Sequence, residues 1–317
     1  MRFRSAVEAD LDRILALPID TQVDRVTSEH YRSGLNNRTY YLERTWIAQD
    51  DDRIFARAVW WCSQDSGLPL ALDSISVVDS VPDRAALATD LLTAAHRAFL
   101  AQGVSELPAY QVFLPVHWRD EPAVSAALAW RQQAASGAGL VEDLERLRYE
   151  WVPEAGLPES SGRLTFAAEA DNEAFLAVFK KIAMGSLDVT TRRGVEVVGI
   201  DAQVREEMDI YLSMPGDRDW WRLAYTPEGE LAGLAIPSAN AGGHVVGYLG
   251  VVPEMRGRGY VDDLLGEITR ILIDAGAERI VADTDTTNVP MARAFERAGY
   301  RNFAIRLVLS APRDGPI

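Results

Sequence analysis

Residues Ala6-Val7-Glu8-Ala9-Asp10-Leu11-Asp12 recur 161 positions later as Ala167-Ala168-Glu169-Ala170-Asp171-Asn172-Glu173, an offset of about half of a 317-residue chain. Both copies open an amphipathic helix, with Ile14, Leu15 and Leu17 or Phe175, Leu176 and Val178 on its apolar side. A polar helical region and an aromatic-led hairpin follow each. The first hairpin is Trp46-Ile47-Ala48, the turn Asp50-Asp51-Asp52 and residues 54–59; the second is residues 221–225, the turn Pro227-Glu228-Gly229 and residues 231–236. The halves also end alike, in apolar runs at 147–152 and 305–309. A chain patterned this way folds as two copies of one unit, each of ordinary domain size. The segment between them is rich in Pro, Gly and Ser, so the expected domains are 1–153 and 163–317, with a linker at 154–162.

The copies differ at one turn. In the second half a strand over residues 244–252 leads into Met255-Arg256-Gly257-Arg258-Gly259-Tyr260-Val261. A helix follows whose Val261, Leu264, Leu265, Ile268, Ile271 and Leu272 share a face. The first N–H groups of a helix have no internal partner, and its dipole adds partial positive charge there. Gly257 and Gly259 carry no Cβ and let an anion approach the backbone, while Arg256 and Arg258 offer forked donors suited to phosphate. The counterpart in the first half is Ser80-Val81-Pro82-Asp83-Arg84-Ala85-Ala86-Leu87, ahead of a helix over 85–101. It has no glycine, Pro82 removes one N–H, and Asp83 repels phosphate. The second turn is therefore either an anion site suited to a pyrophosphate or a solvated loop, and the first a degenerate copy that supports the fold or shapes a substrate cleft.

Composition bounds the partners. A net charge of −15 argues against nucleic acid or an anionic membrane and favours cationic small molecules. No apolar run has transmembrane length, and no apolar stretch follows a basic start. The single cysteine, Cys62, excludes an internal disulfide and fits a reducing cytoplasm. His30, His96, His117 and His244 are too scattered for a metal site, so no metal is expected. Arginine greatly outnumbers lysine, found only at Lys180 and Lys181, which fits a GC-rich bacterial genome. A homodimer is left open.

After the second-half helix come Gly276, the apolar run Ile280-Val281-Ala282, and then Asp283-Thr284-Asp285-Thr286-Thr287-Asn288-Val289-Pro290-Met291. Pro290 suits a first helical turn, Asn288 or Thr287 its cap, and Gly299 its end. This ordered set, over residues 163–310, resembles the C-terminal half of the GNAT acyltransferase superfamily. There the pattern Arg/Gln-x-x-Gly-x-Gly/Ala holds the coenzyme A pyrophosphate and an asparagine-bearing helix lines the pantetheine channel. The resemblance implies an α/β fold with a mixed sheet, in two tandem GNAT-like acyl-CoA N-acyltransferase domains. It implies acetyl-CoA as cofactor, bound by Val251, Arg256, Gly257, Arg258, Gly259, Tyr260, Val261 and Asn288. It also implies a fourth strand splayed from the fifth, and a small primary amine as acceptor.

Several family positions are altered. The last Gly/Ala of the phosphate pattern is Val261, and Asp262 and Asp263 add two carboxylates to the helix start, where they compete with phosphate if they point inward. The family's thiolate-protonating tyrosine falls at Phe295, and two positions that often carry a base fall at Val245 and Gly247. Substitutes are therefore needed. Asp283, at the end of a buried strand, is the first candidate base, with Tyr248 and Tyr300 as candidate acids and His244 and Asp285 behind them. The acceptor is expected in the cleft between domains, with Trp220, Trp221 and residues 192–207 as walls. Two readings remain: N-acetyl transfer to a small cationic amine, or a GNAT-fold protein that binds acyl-CoA, or only supports structure, without catalysis.

Overall fold

The computed structural model describes residues 1–158, 161–240 and 242–312. In chain order the first half holds β1 (Arg2–Ser5), α1 (Leu11–Leu15), α2 (Ser28–Asn36), β2 (Thr45–Asp50), β3 (Arg53–Cys62), β4 (Pro69–Val77), α3 (Arg84–Ala101), β5 (Tyr110–Leu114), α4 (Pro122–Gly137) and β6 (Glu142–Trp151). The second holds β7 (Thr165–Ala168), α5 (Asn172–Ala183), α6 (Val189–Val198), α7 (Ile200–Ser213), β8 (Arg222–Tyr225), β9 (Leu231–Asn240), β10 (Gly243–Val251), α8 (Tyr260–Asp274), β11 (Ile280–Asp285), α9 (Val289–Arg297) and β12 (Arg301–Ser310). The expected linker begins as a 3-10 turn at Pro153–Ala155, and its residues 159 and 160 lie outside the described residues.

Two compact units result. The first comprises Met1–Glu145 and Ile305–Pro312, the second Arg146–Ala304. In the first, β1 to β4 form an antiparallel meander, β4 meets β5 in parallel at Leu72 and Tyr110, and the 305–309 segment of β12 pairs antiparallel with β5. In the second, β7 to β10 repeat the meander, β11 runs parallel to β10, and the 146–151 segment of β6 pairs antiparallel with β11. The repeated element order carries the internal duplication into three dimensions. The final strands are exchanged relative to the expected boundaries: each unit takes the end strand that follows the other in sequence. Both strands carry the same alternation, with Tyr149 and Trp151 or Ile305, Leu307 and Leu309 buried. A period-two pattern says that a strand has an inward face but not which sheet it completes.

Helices cover both faces of the mixed sheet, because each strand row needs an apolar partner. In the second unit α8 and α9 bury Leu264, Leu265, Ile268, Leu272 and Phe295 on one face. On the other, α5 and α7 bury Phe175, Phe179, Val204 and Met208 against Leu234 and Ile236 of β9. No helix among the described residues is long and apolar enough to cross a membrane.

Candidate active site

The cradle is built where β10 ends. Val252 donates its N–H to Ala232 and is buried, and Pro253–Met255 make one 3-10 turn. Gly257 and Gly259 then take φ values of 77° and 78°, a left-handed conformation that costs other L-residues about 1–2 kcal/mol. Gly259 is the N-cap of α8, and no side chain caps the helix. As a result the N–H groups of Gly257, Arg258, Gly259, Tyr260 and Val261 have no acceptor among the described residues. Five open donors at the positive end of a 15-residue helix are an anion site.

The arginines divide their labour differently from expectation. Arg256 points away from the cradle: Nε donates to the Val251 carbonyl at 3.1 Å, and the two Nη groups donate to Gly185 and Ile182 at 2.7 and 3.1 Å. It satisfies orphan carbonyls at the C-terminus of α5 and so positions the turn from behind. It also occupies the Val251 carbonyl. Arg258 is exposed and carries no side-chain bond among the described residues, which leaves its guanidinium available to a phosphate. Arg163, which no local pattern singled out, donates to the carbonyls of Arg258 at 2.8 Å and Gly259 at 3.2 Å and lies over the Tyr260 ring. The two carboxylates of the first turn are neutralised. Asp263 pairs with Arg163 at 2.7 Å and Asp262 with Arg297 at 2.7 Å, so neither presents an unpaired charge.

Beyond the cradle the sheet opens. β10 and β11 pair only at His244–Ile280 and Val245–Val281, and β10 then bulges against β9 between Val246 and Tyr248. The bulge residue is Gly247, where a Cβ would stand 2.7 Å from the Ile236 carbonyl. From Val246 to Val251 the edge of β10 that faces β11 has no ladder partner. Such an edge offers backbone donors and acceptors to an extended ligand.

Polar side chains gather on the α6 and α7 side of this opening. Asp285 is 1% exposed; its Oδ2 accepts from Val189 N–H at 2.6 Å, and its Oδ1 lies 3.1 Å from Arg146 Nε without hydrogen-bond alignment. Asp188 caps α6 at Thr191 and meets Arg146 at 3.2 Å. Glu207 of α7 accepts from Thr191 Oγ1 at 2.6 Å and Gln203 Nε2 at 3.0 Å through one oxygen, while Oε2 is buried without a partner. Burial pushes the carboxyl pKa of Glu207 up, as it does that of Asp285, where the nearby Asp188 charge adds to the effect. Tyr248 packs against Phe179 and Tyr211, at ring separations of 4.7 and 5.9 Å. Its phenol is pushed well above the usual range, first by burial and then by the charge of Glu207.

The other expected residues are placed elsewhere or in other roles. Asp283 is bound in an ion pair with its cross-strand neighbour Arg148, at 3.0 Å. Tyr300 is corrected as a candidate acid: it is 2% exposed in the α8–α9 core, and its hydroxyl bonds to Thr269 Oγ1 at 2.8 Å. Phe295 stacks on Tyr149 and meets Tyr300 at a tilt in that same core. His244 sits at the closed, paired end of β10, beside Trp220. Trp221 is buried against Phe175 and is core, not a wall. Asn288 caps α9 through a long bond to Met291 N–H at 3.4 Å. Glu207, Asp188, Arg146 and Arg163 were not single candidates in the sequence. The only local signal was the polar stretch 192–207, which ends on Glu207.

An open amide turn, a splayed parallel pair and an asparagine-capped helix in this order coincide with a family model. Residues 195–300 match the Acetyltransferase (GNAT) family. The chain carries a GNAT domain. Solved structures extend the likeness over both units. A GCN5-related N-acetyltransferase from Sphaerobacter thermophilus superposes with a TM-score of 0.57 at 16% identity, over 99% of this chain and 96% of its own. A functionally unknown conserved protein from Staphylococcus epidermidis gives 0.51 at 12% identity, over 84% and 93%. A tandem GNAT protein from the clavulanic acid biosynthesis pathway gives 0.48 at 14% identity, over 100% and 99%. At such identities the shared property is the fold. The family generally binds acetyl-CoA, and the open amides at 257–261 lie within the matched residues.

Proposed function

We propose that the second unit transfers an acetyl group from acetyl-CoA to the primary amine of a small cationic molecule. The observation that carries this reading is the continuity of the open amides at 257–261, the unpaired edge of β10 and the acidic group Asp188, Glu207 and Asp285. Acetyl-CoA supplies an activated thioester, so positioning and proton handling are what the chain must add. The amides and Arg258 hold the pyrophosphate, and the β10 edge and Asn288 guide the pantetheine arm. Asp188 and Asp285, only partly balanced by Arg146, attract the substrate ammonium, in keeping with the net charge of −15. Glu207, with its raised pKa and free Oε2, takes the ammonium proton. The freed nitrogen then forms its bond to the acetyl carbon as the carbon–sulfur bond breaks. Tyr248 keeps its proton at neutral pH and donates a hydrogen bond to the leaving sulfur, which takes the second proton that the acylated nitrogen sheds, while the first leaves Glu207 for solvent.

A second reading has an observation of its own. Phe295 stands in the core at the family's phenol position, which fits a protein that binds acyl-CoA without turning it over. A free-thiol assay with acetyl-CoA and a panel of di- and polyamines separates the two. Thiol release with at least one amine, lost in Glu207→Gln while acetyl-CoA still binds, supports transfer. Binding with no release from any amine supports the non-catalytic reading, and no binding at all removes both.

A further inference from the structure

The arginine that leads the open turn of the second unit is turned away from it, with its guanidinium spent on the carbonyls of Val251, Gly185 and Ile182. Arg163 stands behind the same turn. Nη1 donates to the Arg258 carbonyl at 2.8 Å and Nη2 to the Gly259 carbonyl at 3.2 Å. The Gly259 carbonyl also accepts the Asp262 N–H at 3.1 Å. The guanidinium is held in place by Asp263, paired with Nη2 at 2.7 Å, and by the Ser161 hydroxyl, which accepts from Nε at 3.0 Å.

A carbonyl and the N–H of the next residue are two ends of one conjugated, planar peptide unit. The Arg258 carbonyl is thus joined to the Gly259 N–H, and the Gly259 carbonyl to the Tyr260 N–H. Both N–H groups are among the open donors at the start of α8. A cation bonded to the carbonyl end draws electron density from the nitrogen and makes its N–H a stronger donor, because hydrogen bonds in a chain polarise one another. The carbonyls of Arg256 and Gly257, which share peptide units with the Gly257 and Arg258 N–H groups, accept no bond among the described residues. Arg163 therefore acts on two of the open donors and not on their neighbours. Its ion pair with Asp263 is nearly neutral at a distance, so its influence on an anion is local and runs through those two peptide units.

The duplicated chain supplies a contrast. Arg2 stands 161 positions before Arg163 and makes no ion pair or side-chain hydrogen bond among the described residues. The arginine is engaged in the unit whose turn is open and idle in the unit whose turn Asp83 caps. Resting on the acetyl-CoA reading, we infer that Arg163 is a positioning residue for the acyl donor: it charges the Gly259 and Tyr260 amides through their peptide units, and so favours thioesters that carry a pyrophosphate over pantetheine thioesters that carry none.

The test is titration calorimetry of the full chain with acetyl-CoA and with S-acetylpantetheine, which has the same thioester arm and no phosphate. The proteins compared are the parent, Arg163→Ala, Asp263→Ala and the double variant. Arg163→Ala should weaken acetyl-CoA binding at least about tenfold and S-acetylpantetheine binding by less than about twofold. Asp263→Ala should bind acetyl-CoA at least as tightly as the parent, and the double variant no more tightly than Arg163→Ala. In the ligand-free protein, Arg163→Ala should move the Gly259 and Tyr260 amide protons upfield and leave those of Gly257 and Arg258 in place. Equal weakening of both thioesters overturns the inference, since Arg163 then only holds the fold. Parent affinity in the double variant overturns it too, since Arg163 then only cancels Asp263. Acetyl-CoA binding at parent strength in Arg163→Ala removes this inference and leaves the acetyl-transfer reading standing, whereas no binding by the parent removes both.

Discussion

The two strand-to-helix turns of this duplicated chain occupy the same place in their units and do opposite things with the same helix end. At the start of α3, Asp83 accepts from the Ala86 N–H at 2.9 Å, Pro82 has no N–H to give, and Arg84 is held by Asp79 at 2.6 Å. That turn fills its own anion site with a carboxylate. At the start of α8 two left-handed glycines leave five amides open, and the fixing is done by Arg256 and Arg163 on carbonyls behind them. An anion site at a helix start is thus a matter of donors left unspent. Keeping them so requires other groups to hold the backbone.

The largest expected effect breaks the catalytic side of the contrast. Glu207→Gln should lower kcat by about a thousandfold with little change in acetyl-CoA affinity, the size of effect expected for loss of a positioned base. In the parent protein kcat should rise with pH through the raised pKa of Glu207 and level off above it, because the ionised form is the base. Stability runs the other way. A carboxyl whose folded pKa is raised stabilises the fold while it is protonated, so stability falls as pH climbs from the ordinary carboxylate range through the raised value. Glu207→Gln should flatten that slope in urea titrations taken at several pH values.

Next in size is the cradle itself. Gly257→Val with Gly259→Val places β-branched residues at φ values of 77° and 78°, and should weaken acetyl-CoA binding about a hundredfold, ~2.7 kcal/mol by titration calorimetry. Arg258→Ala should cost about tenfold, ~1.4 kcal/mol, at unchanged Tm. Arg256→Ala should lower Tm as well as affinity, since its role is to hold the turn against α5. The smallest effect sharpens the first unit's side. Asp83→Ala removes a helix cap and should destabilise the fold by about 1 kcal/mol in urea while leaving acetyl-CoA affinity untouched.

The parts of this account legible in the sequence are those that depend on neighbours along the chain. Both hairpins, the helix following each turn, the glycines at 257 and 259 and the cap at Asn288 follow from periodicity and backbone preference. The duplication was legible for the same reason, since it is a comparison of local patterns. What escaped depends on partners far away. Arg256 finds its carbonyls 71 and 74 residues upstream. Arg163 reaches the cradle across 95 positions. Asp283 is claimed by Arg148 on the neighbouring strand, while burial between α6 and α7 raises the pKa of Glu207. Tyr300 sits where a sequence pattern shows an aromatic, and only packing tells a core phenol from a cleft one.

The central claim is that one of the two turns binds the acetyl-CoA pyrophosphate and the other has closed itself to it. Backbone amide NMR shifts during an acetyl-CoA titration test this most directly. The account predicts large shifts at Gly257, Arg258, Gly259, Tyr260 and Val261, with the amides of Asp83, Arg84, Ala85, Ala86 and Leu87 unmoved. Shifts centred on the first turn, or none at the second, would contradict it.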